Sequence, residues 1–142
     1  MGGRGYARRV DVATIERAVR EALAERGERP AAVYLYGSRA RGDARDDSDV
    51  DLGVLFGADA PTGYAGLKLG LAGAIERRLG KEVDLVVLDR APADLVHRVL
   101  RDGALLIEDD RAARVAFEVY KRNEYFDLLP MLRRIRNPGG AA

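Results

Sequence analysis

Residues 49–56 read Asp-Val-Asp-Leu-Gly-Val-Leu-Phe, and the two-residue repeat of a β-strand sorts them into two faces. Val50, Leu52, Val54 and Phe56 share an apolar face, while Asp49, Asp51, Gly53 and Leu55 share the other. Such a strand belongs in a layered structure that covers the apolar face and holds both carboxylates in one direction. The rest of the chain supplies the layers. Asp11 is a helix cap ahead of a stripe of Val12, Ile15, Val19 and Leu23, which Gly27 and Pro30 close. Residues 31–36 form an apolar and aromatic run that stops at Gly37, the pattern of a buried strand meeting a turn. Residues 38–48 are charged and read as a short helix or surface loop. Thr62 caps a helix with Tyr64, Leu67, Leu71, Ile75 and Leu79 at helical spacing, and Gly80 ends it.

Residues 82–88 are a third strand with Asp84 in its middle, Pro92 opens a helix that Gly103 ends, and residues 104–107 are a short fourth strand. A last helix starts near Asp109 or Asp110 with an apolar stripe of Ala112, Val115, Val119 and Phe126, and Pro130 is expected to kink or break it. The expected fold is α/β (α+β): a small mixed β-sheet with flanking helices and a C-terminal helix. A chain of 142 residues fits one domain over 1–142, with 1–9 and 137–142 flexible.

Composition narrows the chemistry. Twenty-four basic residues against 23 acidic ones leave a charge of +1, too little to gather nucleic acid, so no stable nucleic-acid binding is expected. There is no cysteine and one histidine, His97, which excludes thiolate sites and metal centres built from several imidazoles. Any metal must therefore be held by oxygens. No secretory signal or membrane-spanning run is visible, and a cytoplasmic location is expected.

Three carboxylates stand in apolar strands, where loss of water makes them costly unless something positive compensates. Asp49 and Asp51 point the same way and repel unless a cation intervenes. Oxygen donors alone favour a hard ion such as Mg²⁺. Asp84 could complete that site, with Asp89 its competitor. At the end of the first strand, Gly37 allows close backbone approach and Ser38 adds a hydroxyl to the amides of a turn, a cradle for phosphate. Arg39 and Arg41 lie nearby, and their guanidinium groups match phosphate oxygens; the competing reading of both as solvated weighs more for Arg39. His97 lies off its helix's apolar stripe and reads as exposed. Tyr120 and Tyr125 read as core or partner-packing groups, and Arg133, Arg134 and Arg136 as a solvated helix end.

The segments Tyr36-Gly-Ser-Arg-Ala-Arg-Gly42 and Ser48-Asp-Val-Asp-Leu52 give Gly-Ser, ten residues, then Asp-x-Asp. This resembles the signature of the nucleotidyltransferase superfamily that includes DNA polymerase beta and kanamycin nucleotidyltransferase. The whole chain is similar to the minimal nucleotidyltransferases that act as antitoxins beside HEPN toxins, down to a Tyr125-Phe126-Asp127 segment in the last helix. The resemblance implies transfer of AMP from ATP to a tyrosine of a HEPN ribonuclease toxin, which silences it. It also implies catalytic and metal-binding roles for Asp49, Asp51 and Asp84 with two Mg²⁺ ions, Asp84 helping to deprotonate the incoming hydroxyl. Gly37, Ser38 and Arg41 would bind the nucleotide.

Two other functions compete with this one. A non-catalytic antitoxin would occlude the toxin by binding alone, with the last helix's apolar surface as a docking face. An aminoglycoside-type enzyme would modify a small molecule, but such enzymes usually need extra structure to hold the acceptor.

Overall fold

The computed structural model describes residues 10–45, 47–57 and 64–136. The expected Thr62 cap, the contributions of the Tyr64 and Leu67 side chains and the expected flexible tails lie outside the described residues.

Helix α1 (Val12–Arg26) begins where Asp11 accepts a hydrogen bond from the Thr14 amide at 2.8 Å, and ends on Gly27 in the left-handed conformation. Strand β1 (Ala32–Tyr36) leads into a one-turn helix, α2 (Ser38–Arg41), and then β2 (Val50–Leu55). Helix α3 (Tyr64–Leu79) crosses over to β3 (Val83–Val87), which runs parallel to β2. A 3-10 turn (Leu88–Arg90), helix α4 (Ala93–Asp102), strand β4 (Ala104–Glu108) and helix α5 (Arg111–Arg136) complete the order. The sheet order is β3-β2-β1-β4, with β1 antiparallel to both of its neighbours. It is the expected mixed sheet.

The strand alternation holds. Val50, Leu52, Val54 and Phe56 join Val33, Leu35, Val83, Leu85 and Val87 on one face, packed against Ile15 and Val19 of α1 and Leu71 and Ile75 of α3. The opposite face buries Ala32, Tyr34 and Leu55 against Leu88, Val96 and Val99, with Phe117 of α5 half-buried beside them. Each large side chain buried in this way contributes about 1.5–3 kcal/mol relative to exposure. Asp51 and Asp84 fall on this second face by the same alternation.

Helix α5 is not broken by its proline, one of the two expected effects, and it lies on the surface. It runs through Pro130 to Arg136, and none of its residues is buried. Proline removes one hydrogen bond from a helix, and a carbonyl so freed on an exposed helix can turn to water. Val115, Val119 and Phe126 of the apolar stripe are exposed, and Ala113 and Phe117 make the contact with the core. Polar ties reinforce it. The Tyr34 hydroxyl donates to Glu118 at 2.5 Å, and Arg114 pairs with both Glu118 and Glu108. His97 is half-buried rather than exposed, because its ring stacks on Tyr125 with centroids 3.8 Å apart. Among the described residues, no helix is long and apolar enough to cross a membrane.

Candidate active site

The site begins where β1 ends. Gly37 has φ 73° and ψ −155°, a conformation that only glycine adopts without strain. A Cβ there would come 2.2 Å from Asp51 Oδ2, so the missing side chain is also what makes room for the carboxylate. The turn that follows is drawn tight: the Gly37 carbonyl accepts from the Ala40 and Arg41 amides, both at 3.2 Å, and the Ser38 carbonyl accepts from Gly42 at 3.0 Å. The amides that open such a turn have no partner within it and are directed outward.

Strand register brings the carboxylates together. Asp51 pairs with Tyr36 across the antiparallel β1–β2 ladder and with Asp84 across the parallel β2–β3 ladder, so Tyr36, Asp51 and Asp84 form one row over three strands. Asp49 stands exposed just ahead of β2, while Asp51 is half-buried and Asp84 exposed. Burial pushes the Asp51 carboxyl pKa up, and the charges of Asp84 and Asp49 push it further, with Arg41 opposing. The Tyr36 phenol is pushed up to about 12, first by burial and then by Asp84 and Asp51, against the pull of Arg98.

Asp89, the competitor of Asp84, is engaged elsewhere. Its two carboxylate oxygens accept from the Phe56 and Gly57 amides, each at 2.9 Å, and so fasten the end of β2. Arg41 is exposed and lies 3.4 Å from Asp43. Arg39 is half-buried rather than solvated: it donates to the Ser48 carbonyl at 2.7 Å and to the Val10 carbonyl at 3.3 Å, pinning the loop that carries Asp49. Tyr36 is the neighbour of these carboxylates that sequence reasoning missed. The repeat that puts Tyr34 and Tyr36 on one face was readable, but the register that sets Tyr36 beside Asp51 was not.

Among the described residues, no three His, Cys, Asp or Glu side chains are gathered closely enough to hold a metal ion. The expected trio Asp49, Asp51 and Asp84 is therefore an open set, not a cage. An open set of oxygens under mutual repulsion still fits Mg²⁺, which usually takes only one or two carboxylates and completes its octahedron with water and substrate phosphates. A separate cavity of about 390 Å³, lined by Tyr34, His97, Leu100, Glu118, Lys121 and Phe126 among others, contains none of the expected site residues.

Residues 18–112 match the family described as "Polymerase beta, Nucleotidyltransferase". The chain belongs to this nucleotidyltransferase family. Similar solved structures extend the likeness beyond the matched segment. One is a crystal structure of a toxin–antitoxin with AMP-PNP, 27% identical over 87% of this chain and 96% of that chain, with a TM-score of 0.74. A second is the toxin–antitoxin MntA-HepT, 25% identical over 87% of this chain and 95% of that one, with a TM-score of 0.68. A third holds a tri-AMPylated Shewanella oneidensis HEPN toxin in complex with MNT antitoxin; at 24% identity, 89% and 97% coverage and a TM-score of 0.70, it attests the shared fold. No curated protein matches the chain. In this nucleotidyltransferase, the Gly-Ser segment forms the Gly37 turn, and Asp51 of the Asp-x-Asp segment lies in β2 beside Asp84 of β3.

Proposed function

We propose that this nucleotidyltransferase moves AMP from ATP to a tyrosine hydroxyl of a HEPN-domain ribonuclease and acts as its antitoxin, with Mg²⁺ as cofactor. The observation that carries the reading is the in-register Asp51–Asp84 pair set against the glycine turn at 37. The family and the similarity to a toxin–antitoxin structure holding AMP-PNP support it.

In this mechanism the amides of the turn, the Ser38 hydroxyl and the Arg41 guanidinium bind the β and γ phosphates. Asp49, Asp51 and Asp84 hold Mg²⁺, which when bound supplies positive charge that offsets carboxylate repulsion and stabilises charge developing on phosphate oxygens. Asp84 takes the proton of the acceptor hydroxyl. The acceptor oxygen bonds to the α-phosphorus as the bond to the β-phosphate oxygen breaks, and pyrophosphate leaves in line. The exposed apolar residues of α5, Val115, Val119, Phe126, Met131 and Ile135, are the docking face for the partner.

The test is to incubate the purified protein with a co-encoded HEPN protein, labelled ATP and Mg²⁺. Label on a tyrosine of the partner is expected, and both Asp49→Asn and Asp51→Asn should abolish it. Full transfer by either variant refutes the mechanism. The α5 face also favours a second reading, neutralisation by binding alone. If the double variant still protects cells while no AMP is added, that reading replaces the first.

A further inference from the structure

Tyr34 and Tyr36 stand two residues apart on one face of β1, and their hydroxyls meet different fates. The Tyr34 hydroxyl donates to Glu118 at 2.5 Å and helps to tie α5 to the sheet. The Tyr36 hydroxyl makes no hydrogen bond among the described residues, although its ring is half-buried. That hydroxyl is open to water or to a ligand.

Its position is set from two sides. Register fixes it opposite Asp51, and on the other side a Cβ at Gly103, where α4 ends, would lie 3.3 Å from the Tyr36 Cβ. The phenol is thus held in a wall between the end of α4 and the carboxylates. A ligand drawn to those carboxylates through a cation is itself an anion, and a phosphate's surface is made of acceptors. A phenol hydroxyl is a hydrogen-bond donor and suits it.

We propose that the Tyr36 hydroxyl is a substrate contact, donating a hydrogen bond to a phosphate oxygen of the nucleotide held over the Asp51–Asp84 pair. This rests on the transferase reading above. It adds a donor from the β1 side of the row to those of the Gly37 turn, and it gives the tyrosine a task that packing alone does not.

The experiment compares the full-length protein with Tyr36→Phe and Tyr34→Phe. Binding of AMP-PNP with Mg²⁺ is measured by calorimetry, adenylate transfer by kcat and KM, and folding by thermal melting. Tyr36→Phe is expected to weaken AMP-PNP binding about tenfold and to lower kcat/KM about 10–100-fold, with an unchanged Tm. Tyr34→Phe should lower Tm and leave AMP-PNP affinity as it is. If Tyr36→Phe binds and transfers like the wild type, the assignment of Tyr36 is overturned and the transferase reading stands. If its lost affinity comes with a matching fall in Tm, packing explains it and the assignment is overturned. A wild-type protein that neither binds AMP-PNP nor transfers adenylate overturns the transferase reading, and the role of Tyr36 with it.

Discussion

Replacing Gly37 by alanine adds one methyl group and should disable the site. Two costs arise at once. At φ 73° and ψ −155° the backbone lies where an L-residue is strained, by about 1–3 kcal/mol. The new Cβ would also come 2.2 Å from Asp51 Oδ2, and an ordinary contact needs about 3.4 Å, so the carboxylate must shift by more than 1 Å. A misplacement of about 1 Å at a reacting centre costs on the order of 100-fold in rate. In a domain of this size 1 kcal/mol is worth about 4 °C, so Tm should fall by about 4–12 °C. Gly42→Ala is the control. It shares a positive φ of 84° but has nothing within 4 Å of the new Cβ, so it should lose stability without the large loss of rate. The assays are thermal melting and the initial rate of adenylate transfer to the partner, both at saturating Mg²⁺ and ATP. If Gly37→Ala transfers at the wild-type rate, or Gly42→Ala loses as much, contact between residue 37 and Asp51 is not what shapes the site.

Asp51→Asn should abolish transfer yet raise Tm at neutral pH. The folded protein holds the Asp51 pKa above its unfolded value of 3.8, so the ionised side chain lowers stability above that range and the cost fades as the carboxyl protonates. The gain in Tm should therefore shrink as pH falls through the raised pKa toward 3.8; a gain that grows on acidification would reverse the assigned sign. Asp89→Ala strips two backbone amides of their acceptor and should lower stability by about 3 kcal/mol, read as a shift of urea midpoint at constant m-value. His97→Ala removes the stack on Tyr125 and should lower stability by about 1 kcal/mol, while hydrogen exchange speeds up at the α4–α5 contact. Unchanged exchange there would mean that the stack does not secure the helix.

The strands showed themselves because period-two alternation reports directly which side of a chain meets the core. Val50, Leu52, Val54 and Phe56 lie where that rule puts them. Gly37 and Asp11 were legible because each serves its immediate neighbours, a turn and a helix start. Alternation assigns a face but not a partner. The row of Tyr36, Asp51 and Asp84 depends on two registers that link residues far apart in sequence. Arg39 escaped for the same reason, since its acceptors include the carbonyls of Val10 and Ser48. The apolar stripe of α5 was legible as a stripe, but periodicity marks one side of a helix as apolar without saying what covers it.

The row of three side chains also sets an order of events during synthesis. Tyr36 and Asp51 meet when β1 and β2 close as an antiparallel pair, but Asp84 arrives only after α3 has crossed over and β3 has zipped alongside. At about 5–20 residues per second, a ribosome takes roughly 2–10 s to travel from codon 36 to codon 84. Until then the row lacks Asp84, the residue proposed to take the acceptor's proton. A truncated translation product that stops short of the third strand would lack Asp84 and, on the proposed mechanism, would transfer no adenylate, however well its first half had folded.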